Sequence, residues 1–161
     1  DRLSGREYLS YLGGLRGIPE EEVERRSTEL LDALNLTEAG PKFIVDYSAG
    51  MTKKILLAGA LLHGPEILIL DEPLEAVDPV SGRLIQQILR RYAAGGGTVV
   101  LSSHVMELVE GLCDHVAIIH QGRVLTAGHV DEVRQGASLV DTFVGFVGGG
   151  DLDDETLGWL R

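Results

Sequence analysis

The sequence predicts an α/β protein that begins with helices and continues as a parallel sheet covered by helices. Apolar residues recur with helical spacing through the first third of the 161-residue chain. Beyond that, short apolar runs alternate with helical stretches, which is the pattern of a parallel sheet. The expected divisions are a helical subdomain over 1–63, a sheet-containing part over 64–150 and an acidic tail over 151–161.

The helical part shows its start and stop signals clearly. Ser4 and Glu7 form a capping-box pattern, and Gly17 is placed to end the helix that follows. Pro19 opens a second helix with three glutamates in its first turn, where the helix dipole favours acids. Ser48 is a good N-cap for a third helix, which runs to about Leu62.

The later part alternates strands and helices. The run 67–70 is apolar on both faces, as in a buried parallel strand, and 98–103 predicts a second buried strand. The run 116–120 predicts a third strand. A turn at "QGR", residues 121–123, then leads into a fourth strand, "VLTAG". Helices are expected at about 80–94, 105–113, 129–135 and 138–147.

Composition limits the function classes. A hydrophobic fraction of 44% predicts a globular chain, and a net charge of −11 disfavours binding to nucleic acid or anionic lipid by charge alone. The single cysteine, Cys113, excludes an internal disulfide. The longest apolar stretch, 55–62, is too short to span a bilayer, and the first residues lack a signal-peptide pattern. We therefore expect a cytoplasmic protein that reaches a membrane only through a partner.

Three chemically useful side chains follow the predicted strands. Asp71 and Glu72 come directly after the first strand, and His104 follows the second. Ligands of parallel α/β sheets gather at the carboxyl ends of the strands. Each residue alone could be a turn cap or a loop histidine. Together they suit Mg²⁺-assisted attack of water on a phosphoryl group.

A second candidate site is "YSAGM", residues 47–51. Ser48 lies at a predicted helix N-terminus beside small residues, where backbone N–H groups and a hydroxyl can bind an anion. Plain helix capping is the alternative interpretation of the same serine.

At this point the chain resembles a known family. "YSAGMTKKILLAGALLHGPEILILDEPLEAVDP" resembles the signature, Walker B and D-loop block of ABC-type ATPases, the motor subunits of ABC transporters. "TVVLSSHVMELVEGLCDHVAIIHQGRVLTAG" is similar to the switch-histidine segment and final strands of that family. "SLVDTFVGFVGG" resembles the closing helix of the subfamily paired with ABC-2 type exporters. The resemblance extends to about Gly150 and implies a P-loop NTPase-like α/β fold.

The resemblance implies a role for each matched residue. Asp71 matches the acid that orders Mg²⁺, Glu72 the base that aligns the attacking water, and His104 the switch histidine at the γ-phosphate. The remaining matches would contact ATP held by the opposite subunit or lie at the dimer interface: Ser48, Ala49, Gly50, Met51 and Asp78.

Several positions depart from the family pattern or lie outside its motifs. Ala49 stands where a second glycine is usual, and its methyl group would crowd a backbone that must approach a nucleotide closely. Tyr47 and Val77 replace more usual leucines. Lys53 and Lys54, in the signature helix, are expected to be solvated, with a role at the dimer interface as the alternative.

The 161 residues contain no G-x-x-x-x-G-K-[ST] phosphate loop. We expect the chain to be the C-terminal portion of a longer ATPase and to begin just after the glutamine loop of that ATPase. The isolated chain is then expected to bind MgATP very weakly and to hydrolyse none detectably. The strand 67–70 would then lack its usual neighbour, which should leave an apolar edge of the sheet exposed.

The resemblance implies an ATP-driven transporter subunit, most similar to exporters. Its partners would be a second ATPase subunit in a head-to-tail dimer and transmembrane permease subunits that hold it at the inner face of the cell membrane. A DNA-acting ABC-type ATPase is disfavoured because the sequence has no heptad coils and no cysteine pairs and carries a negative net charge. A non-catalytic module that docks on membrane subunits is the other alternative. The tail is interpreted as a flexible acidic extension or as a docking face of Leu152, Leu157, Trp159 and Leu160.

Overall fold

The computed structural model describes residues 2–148 of the chain. Its contacts group the chain into two compact units, Asp1–Ser103 and His104–Arg161. The described part of the first unit contains α1 (Gly5–Leu15), α2 (Glu20–Ala33), α3 (Ala49–Leu61), β1 (Ile67–Leu70), α4 (Pro79–Ala94) and β2 (Thr98–Leu101). The described part of the second contains α5 (Met106–Leu112), β3 (His115–His120), β4 (Arg123–His129), α6 (Val130–Arg134) and α7 (Leu139–Val147).

The three N-terminal helices begin and end where their capping residues predict. The Ser4 hydroxyl accepts a hydrogen bond from the Glu7 N–H at 3.3 Å, and the Glu7 carboxylate accepts from the Ser4 N–H at 2.7 Å. Gly17 follows α1 with a φ of +68°, a left-handed conformation that glycine adopts without steric cost. Two 3-10 turns, Thr37–Ala39 and Ile44–Asp46, lie in the segment between α2 and α3.

Small residues allow these helices to pack closely. Gly13 of α1 faces Val23 of α2, and Gly59 of α3 faces Leu12 and Tyr8 of α1. Fully buried side chains fill the space between the three helices, so this bundle has an apolar core of its own. That core includes Leu9, Leu31, Leu34, Ile55, Ala58 and Leu62.

β1 and β2 pair in parallel, with Leu70 opposite Leu101, and α4 connects them. The prediction of two fully buried strands was wrong. Leu68 is 3% exposed, but Ile67 and Ile69 on the other face are 59% and 77% exposed, and Val100 of β2 is also exposed. One face of this sheet is covered and the other is open. Among residues 2–148, β1 pairs only with β2, so its other edge lacks a neighbouring strand, as expected.

The second unit contains a hairpin rather than a third parallel strand. β3 pairs antiparallel with β4 through the two-residue turn Gln121–Gly122. Both turn residues have positive φ, +48° and +73°, as a type I′ hairpin turn requires. The expectation that 116–120 would extend the parallel sheet is therefore corrected for the described residues, whereas the turn at "QGR" is confirmed. The core of this unit is formed by buried residues of α5, β3, α6 and α7: Val109, Ile118, Val130, Val133 and Leu139.

The predicted boundary near His63 lies inside the first compact unit, because α3 packs on α1, α2 and α4. The division into helical and sheet parts at that residue stays a prediction. The predicted tail, 151–161, lies outside the described residues. Across residues 2–148, none of the helices is both long and apolar enough to cross a membrane.

Candidate functional site

The acidic pair lies at the carboxyl end of β1, as predicted. The Ser102 N–H donates to the Leu70 carbonyl at 2.9 Å, which continues the parallel ladder by one residue beyond β2. Ser102 is thereby brought beside Asp71 and Glu72, although 30 or more residues separate them in the sequence. Sheet register, rather than local sequence, creates this arrangement.

The Ser102 hydroxyl contacts both acidic residues. It donates to Oδ1 of Asp71 at 2.5 Å and accepts from the backbone N–H of Glu72 at 3.0 Å. The Asp71 side chain is exposed. Its carboxylate is thus both oriented by a neighbour and accessible from solvent.

Glu72 has a left-handed backbone with a φ of +43°, which is uncommon for a residue other than glycine. Its N–H is held by Ser102, and its carbonyl accepts a hydrogen bond from Nζ of Lys53 at 2.8 Å. The contact with Lys53 ties the loop after β1 to helix α3. Lys53 is half-buried, so it is less solvated than expected.

Asp78 ends the same loop and caps α4. Its Oδ1 accepts from the N–H groups of Val80 at 3.1 Å and Ser81 at 3.0 Å. These hydrogen bonds, chiefly the one from the Ser81 N–H, lower the pKa of Asp78, and the positive charge of Lys54 lowers it further. Lys54 is only 7% exposed, which also contradicts the expectation of a solvated lysine.

The predicted signature segment forms the first turn of α3. The Ser48 hydroxyl accepts from the Met51 N–H at 3.3 Å, so the serine is the N-cap that the sequence predicts. Gly50 lies close to Asp78, because a Cβ added there would sit 3.6 Å from Oδ2 of the aspartate. Ser48 and Ala49 are exposed, so the methyl group of Ala49 is accommodated within this chain.

The structure therefore brings most of the predicted site residues into one loop and one helix end within the first unit. Asp71, Glu72 and Asp78 lie on the loop between β1 and α4, and the signature residues 48–51 face it through Gly50. His104 is exposed and is the first residue of the second unit. Its proximity to the acidic pair stays a prediction.

The residues present fit a magnesium ion that is shared with a phosphate ligand. Mg²⁺ commonly binds through one or two carboxylates plus substrate phosphates, and it prefers oxygen ligands. Asp71 supplies such a carboxylate, exposed and held by Ser102. In the described part of the chain, there is no group of three or more His, Cys, Asp or Glu residues that could hold a metal.

The contacts of two residues with the acidic loop, Ser102 and Lys53, were not predicted from the sequence. Ser102 carried only a weak signal, because it was placed inside the predicted strand 98–103 and the register that sets it beside Asp71 is not written in the local sequence. Lys53 carried none, since its contact joins residues 19 positions apart through the packing of α3 against the loop.

Comparison with known sequences supports the family resemblance. A family model described as ABC transporter matches residues 3–75. The linearmycin resistance ATP-binding protein LnrL of Bacillus subtilis (strain 168) is 38% identical to this chain over 126 residues, which are 78% of this chain and 40% of LnrL. The chain spans between 40% and 55% of the length of three curated relatives, LnrL among them.

Solved structures give the same result for the fold. One described as the ATP binding subunit of an ABC transporter superposes with a TM-score of 0.83 at 31% identity, over 90% of this chain and 62% of the other. The structure of cbiO1 from Clostridium perfringens, described as part of the ABC transporter complex cbiONQ, gives a TM-score of 0.72 at 26% identity. That match covers 89% of this chain and 58% of cbiO1.

Proposed function

Since this chain belongs to the ABC transporter ATP-binding family, we propose that it supplies the signature and acidic segments of an ATP-hydrolysing transporter subunit. The observation that carries the proposal is the shared loop. Asp71, Glu72 and Asp78 lie on one segment, which accepts a hydrogen bond from Lys53 of α3 and lies close to Gly50 at the start of that helix. Residues for two different contacts with ATP are thus held together within one chain.

The acidic pair divides the work of hydrolysis. A bound Mg²⁺ would supply charge neutralisation at the phosphates. Asp71 would hold that ion with its exposed carboxylate. Glu72 would orient the attacking water and accept its proton, and His104 would stabilise charge on the γ-phosphate. The left-handed backbone of Glu72 supports a functional role, because strained residues cluster at active sites.

The signature turn would act on a second nucleotide. Ser48, Ala49, Gly50 and Met51 would contact ATP bound by the opposite subunit of a head-to-tail dimer, and Asp78 would lie at the dimer interface. The N-terminus of α3 suits this role, because unpaired backbone N–H groups and the helix dipole favour a negatively charged ligand.

The transport role follows from the family and its named relatives. LnrL is described as a resistance protein, and cbiO1 as part of a transporter complex. We extend these descriptions to an exporter subunit that works with transmembrane permease subunits at the inner face of the cell membrane. In this scheme, residues 1–63 form the helical subdomain that docks on the permease and residues 64–150 belong to the ATPase core.

Substitution of Glu72 by glutamine tests this proposal. In the complete natural protein that contains this sequence, Glu72→Gln should lower kcat for ATP hydrolysis by about 100-fold or more, because general-base catalysis contributes that much. MgATP binding should persist, because the amide keeps the size of the side chain. Steady-state hydrolysis and equilibrium binding of MgATP measure the two effects.

Glu75→Gln is the matched control, since Glu75 is an exposed acid on the same loop. Its kcat should remain within about twofold of the unsubstituted protein. The isolated 161-residue chain should show no detectable hydrolysis. Normal turnover by Glu72→Gln would overturn the proposal, and permease binding by a protein that hydrolyses no ATP would favour a non-catalytic docking module instead.

A further inference from the structure

We propose that Ser102 is a positioning residue that sets the geometry of both acids at the end of β1. The inference rests on the proposed function, because it assigns Ser102 a role toward the ion that Asp71 would hold. Ser102 lies within the segment that is similar to the family's switch-histidine region, but the resemblance assigns it no role. Its assignment comes from its contacts alone.

The position of Ser102 is fixed by the sheet. Leu70 pairs with Leu101 in the parallel register, and the Ser102 N–H continues the ladder to the Leu70 carbonyl. Backbone hydrogen bonds on a paired strand leave little freedom at its end. The hydroxyl of Ser102 therefore starts from a rigid support, as positioning side chains require.

A hydroxyl is suited to this place, because it can donate one hydrogen bond and accept others. Its single proton goes to Oδ1 of Asp71, and its lone pair accepts from the Glu72 N–H. The two bonds run in opposite senses, so one side chain orients the carboxylate of the first acid and the backbone of the second. Alanine could form neither bond.

The backbone contact matters because of the conformation of Glu72. A left-handed φ of +43° costs a residue other than glycine about 1 to 3 kcal/mol unless its surroundings hold it in place. Ser102 holds the N–H of Glu72, and Lys53 holds its carbonyl. Removing Ser102 frees one of these two restraints and lets the carboxylate of Asp71 rotate.

The expected consequence is weaker binding of the ion rather than of the nucleotide alone. Hydrogen bonds to a ligating carboxylate orient it, and their loss lowers metal affinity by about 10- to 100-fold. The hydroxyl of Ser102 donates to Oδ1 of Asp71, so it would orient the carboxylate that binds the ion. Ser102 thus acts on the magnesium site through Asp71, and on the position of the water through the backbone of Glu72.

The test measures how much Mg²⁺ strengthens nucleotide binding. In the complete natural protein, the dissociation constant of β,γ-imido-ATP is determined by equilibrium titration in EDTA and in excess Mg²⁺. Ser102→Ala should reduce the ratio of these two constants by about 10-fold or more. Its constant in EDTA should stay unchanged, which separates a positioning role from a general loss of structure.

Three further variants sharpen the comparison. Ser102→Thr keeps the hydroxyl and should retain the ratio within about threefold of the unsubstituted protein. Ser102→Cys nearly keeps the size of the side chain but forms only weak hydrogen bonds, so it should also reduce the ratio of the two dissociation constants. This variant tests the role of Ser102 even if Ser102→Ala does not fold. Ser10→Ala deletes an exposed hydroxyl on α1 and should change nothing.

Equal ratios in the unsubstituted protein, Ser102→Ala and Ser102→Cys would overturn the role of Ser102. If Glu72→Gln is inactive in the same preparation, that result leaves the proposed function standing. If the unsubstituted protein itself shows no dependence on Mg²⁺, both the role of Ser102 and the magnesium site at Asp71 are overturned.

Discussion

Asp78 illustrates how single side chains connect the segments of this molecule. One carboxylate oxygen caps α4 through the N–H groups of Val80 and Ser81, and the other faces Gly50 at the start of α3. The buried ammonium of Lys54 adds a favourable charge interaction. A residue that the sequence marks only as an interface aspartate therefore also organises its own chain.

The lowered pKa of Asp78 makes stability depend on pH in a predictable direction. Because the folded pKa lies below the unfolded value of about 3.9, the ionised carboxylate stabilises the fold above that pH. The contribution is lost as the pH falls through the folded pKa. Asp78→Asn keeps a good helix cap but removes the charge, so it should be less stable than the unsubstituted chain at pH 7.

Urea unfolding of both chains between pH 7 and pH 2 measures this effect. The gap in unfolding free energy should close towards acid, because the aspartate is then protonated and resembles asparagine. A gap that stays constant over the whole range would show that charge has no part in it. Asp78→Ala should be less stable than Asp78→Asn at every pH, since it also removes the cap.

Residues that act through local structure were predictable, and residues that act through register were not. Ser48 and the acidic pair follow from capping preferences and from apolar runs, which are written within a few consecutive positions. The contacts of Ser102 and Lys53 depend on which strand and helix lie alongside the loop. The prediction that Ser48 is an N-cap is confirmed. Its contact with a nucleotide stays a prediction.

Among the helices, close approach depends on glycine at two positions. A Cβ on Gly13 would lie 2.4 Å from a methyl carbon of Val23, and one on Gly59 would lie 2.7 Å from a methyl carbon of Leu12. Such distances are too short for carbon atoms in contact, so a larger residue forces the helices apart or distorts their side chains. Val23 is branched and buried, which leaves it little room to move.

Gly13→Ala should therefore destabilise the chain by about 1 to 3 kcal/mol, even though alanine favours helices. Gly14→Ala is the matched control on the next residue of α1, where an added Cβ meets nothing within 4 Å. That variant should stabilise the chain by about 0.5 to 1 kcal/mol. Denaturant unfolding monitored by circular dichroism compares the two, and similar effects from both would contradict close packing at Gly13.

Helices and strands differ in how well their surroundings could be predicted. The limits of α1, α2 and α3 agree with expectation, because caps and glycine stops act within one turn. The burial of β1 and the partner of β3 differ from expectation. An apolar run predicts that a strand is covered, but it does not indicate which element covers it or pairs with it. The prediction of the hairpin turn is confirmed because a turn, like a helix end, is determined by a few consecutive residues.

For the molecule as a whole, the open face of the β1–β2 sheet is the main departure from a fully covered α/β fold. Ile67, Ile69 and Val100 expose apolar surface on it, whereas Leu68 on the opposite face is buried. Exposed apolar strands promote association between chains. The 161-residue chain by itself should consequently be prone to aggregate.

Ile69→Thr should raise the solubility of the isolated chain and lower its binding of a hydrophobic dye, with little effect on unfolding free energy. Threonine is also β-branched, so the strand preference is kept. Leu68→Thr makes a comparable change on the buried face and should cost roughly 2 to 5 kcal/mol. If both variants destabilise the chain equally, the face that carries Ile69 is covered in solution.

The hydrogen bond between Lys53 and the Glu72 carbonyl also has a consequence for dynamics. Helix ends and loops normally fluctuate independently, each with its own opening free energy. Here unwinding of the first turns of α3 would move Lys53 and break its hydrogen bond to Glu72, so we expect opening of the helix end to loosen the loop as well. Part of the restraint on the left-handed conformation of Glu72 thus comes from a helix that begins more than twenty residues earlier in the chain.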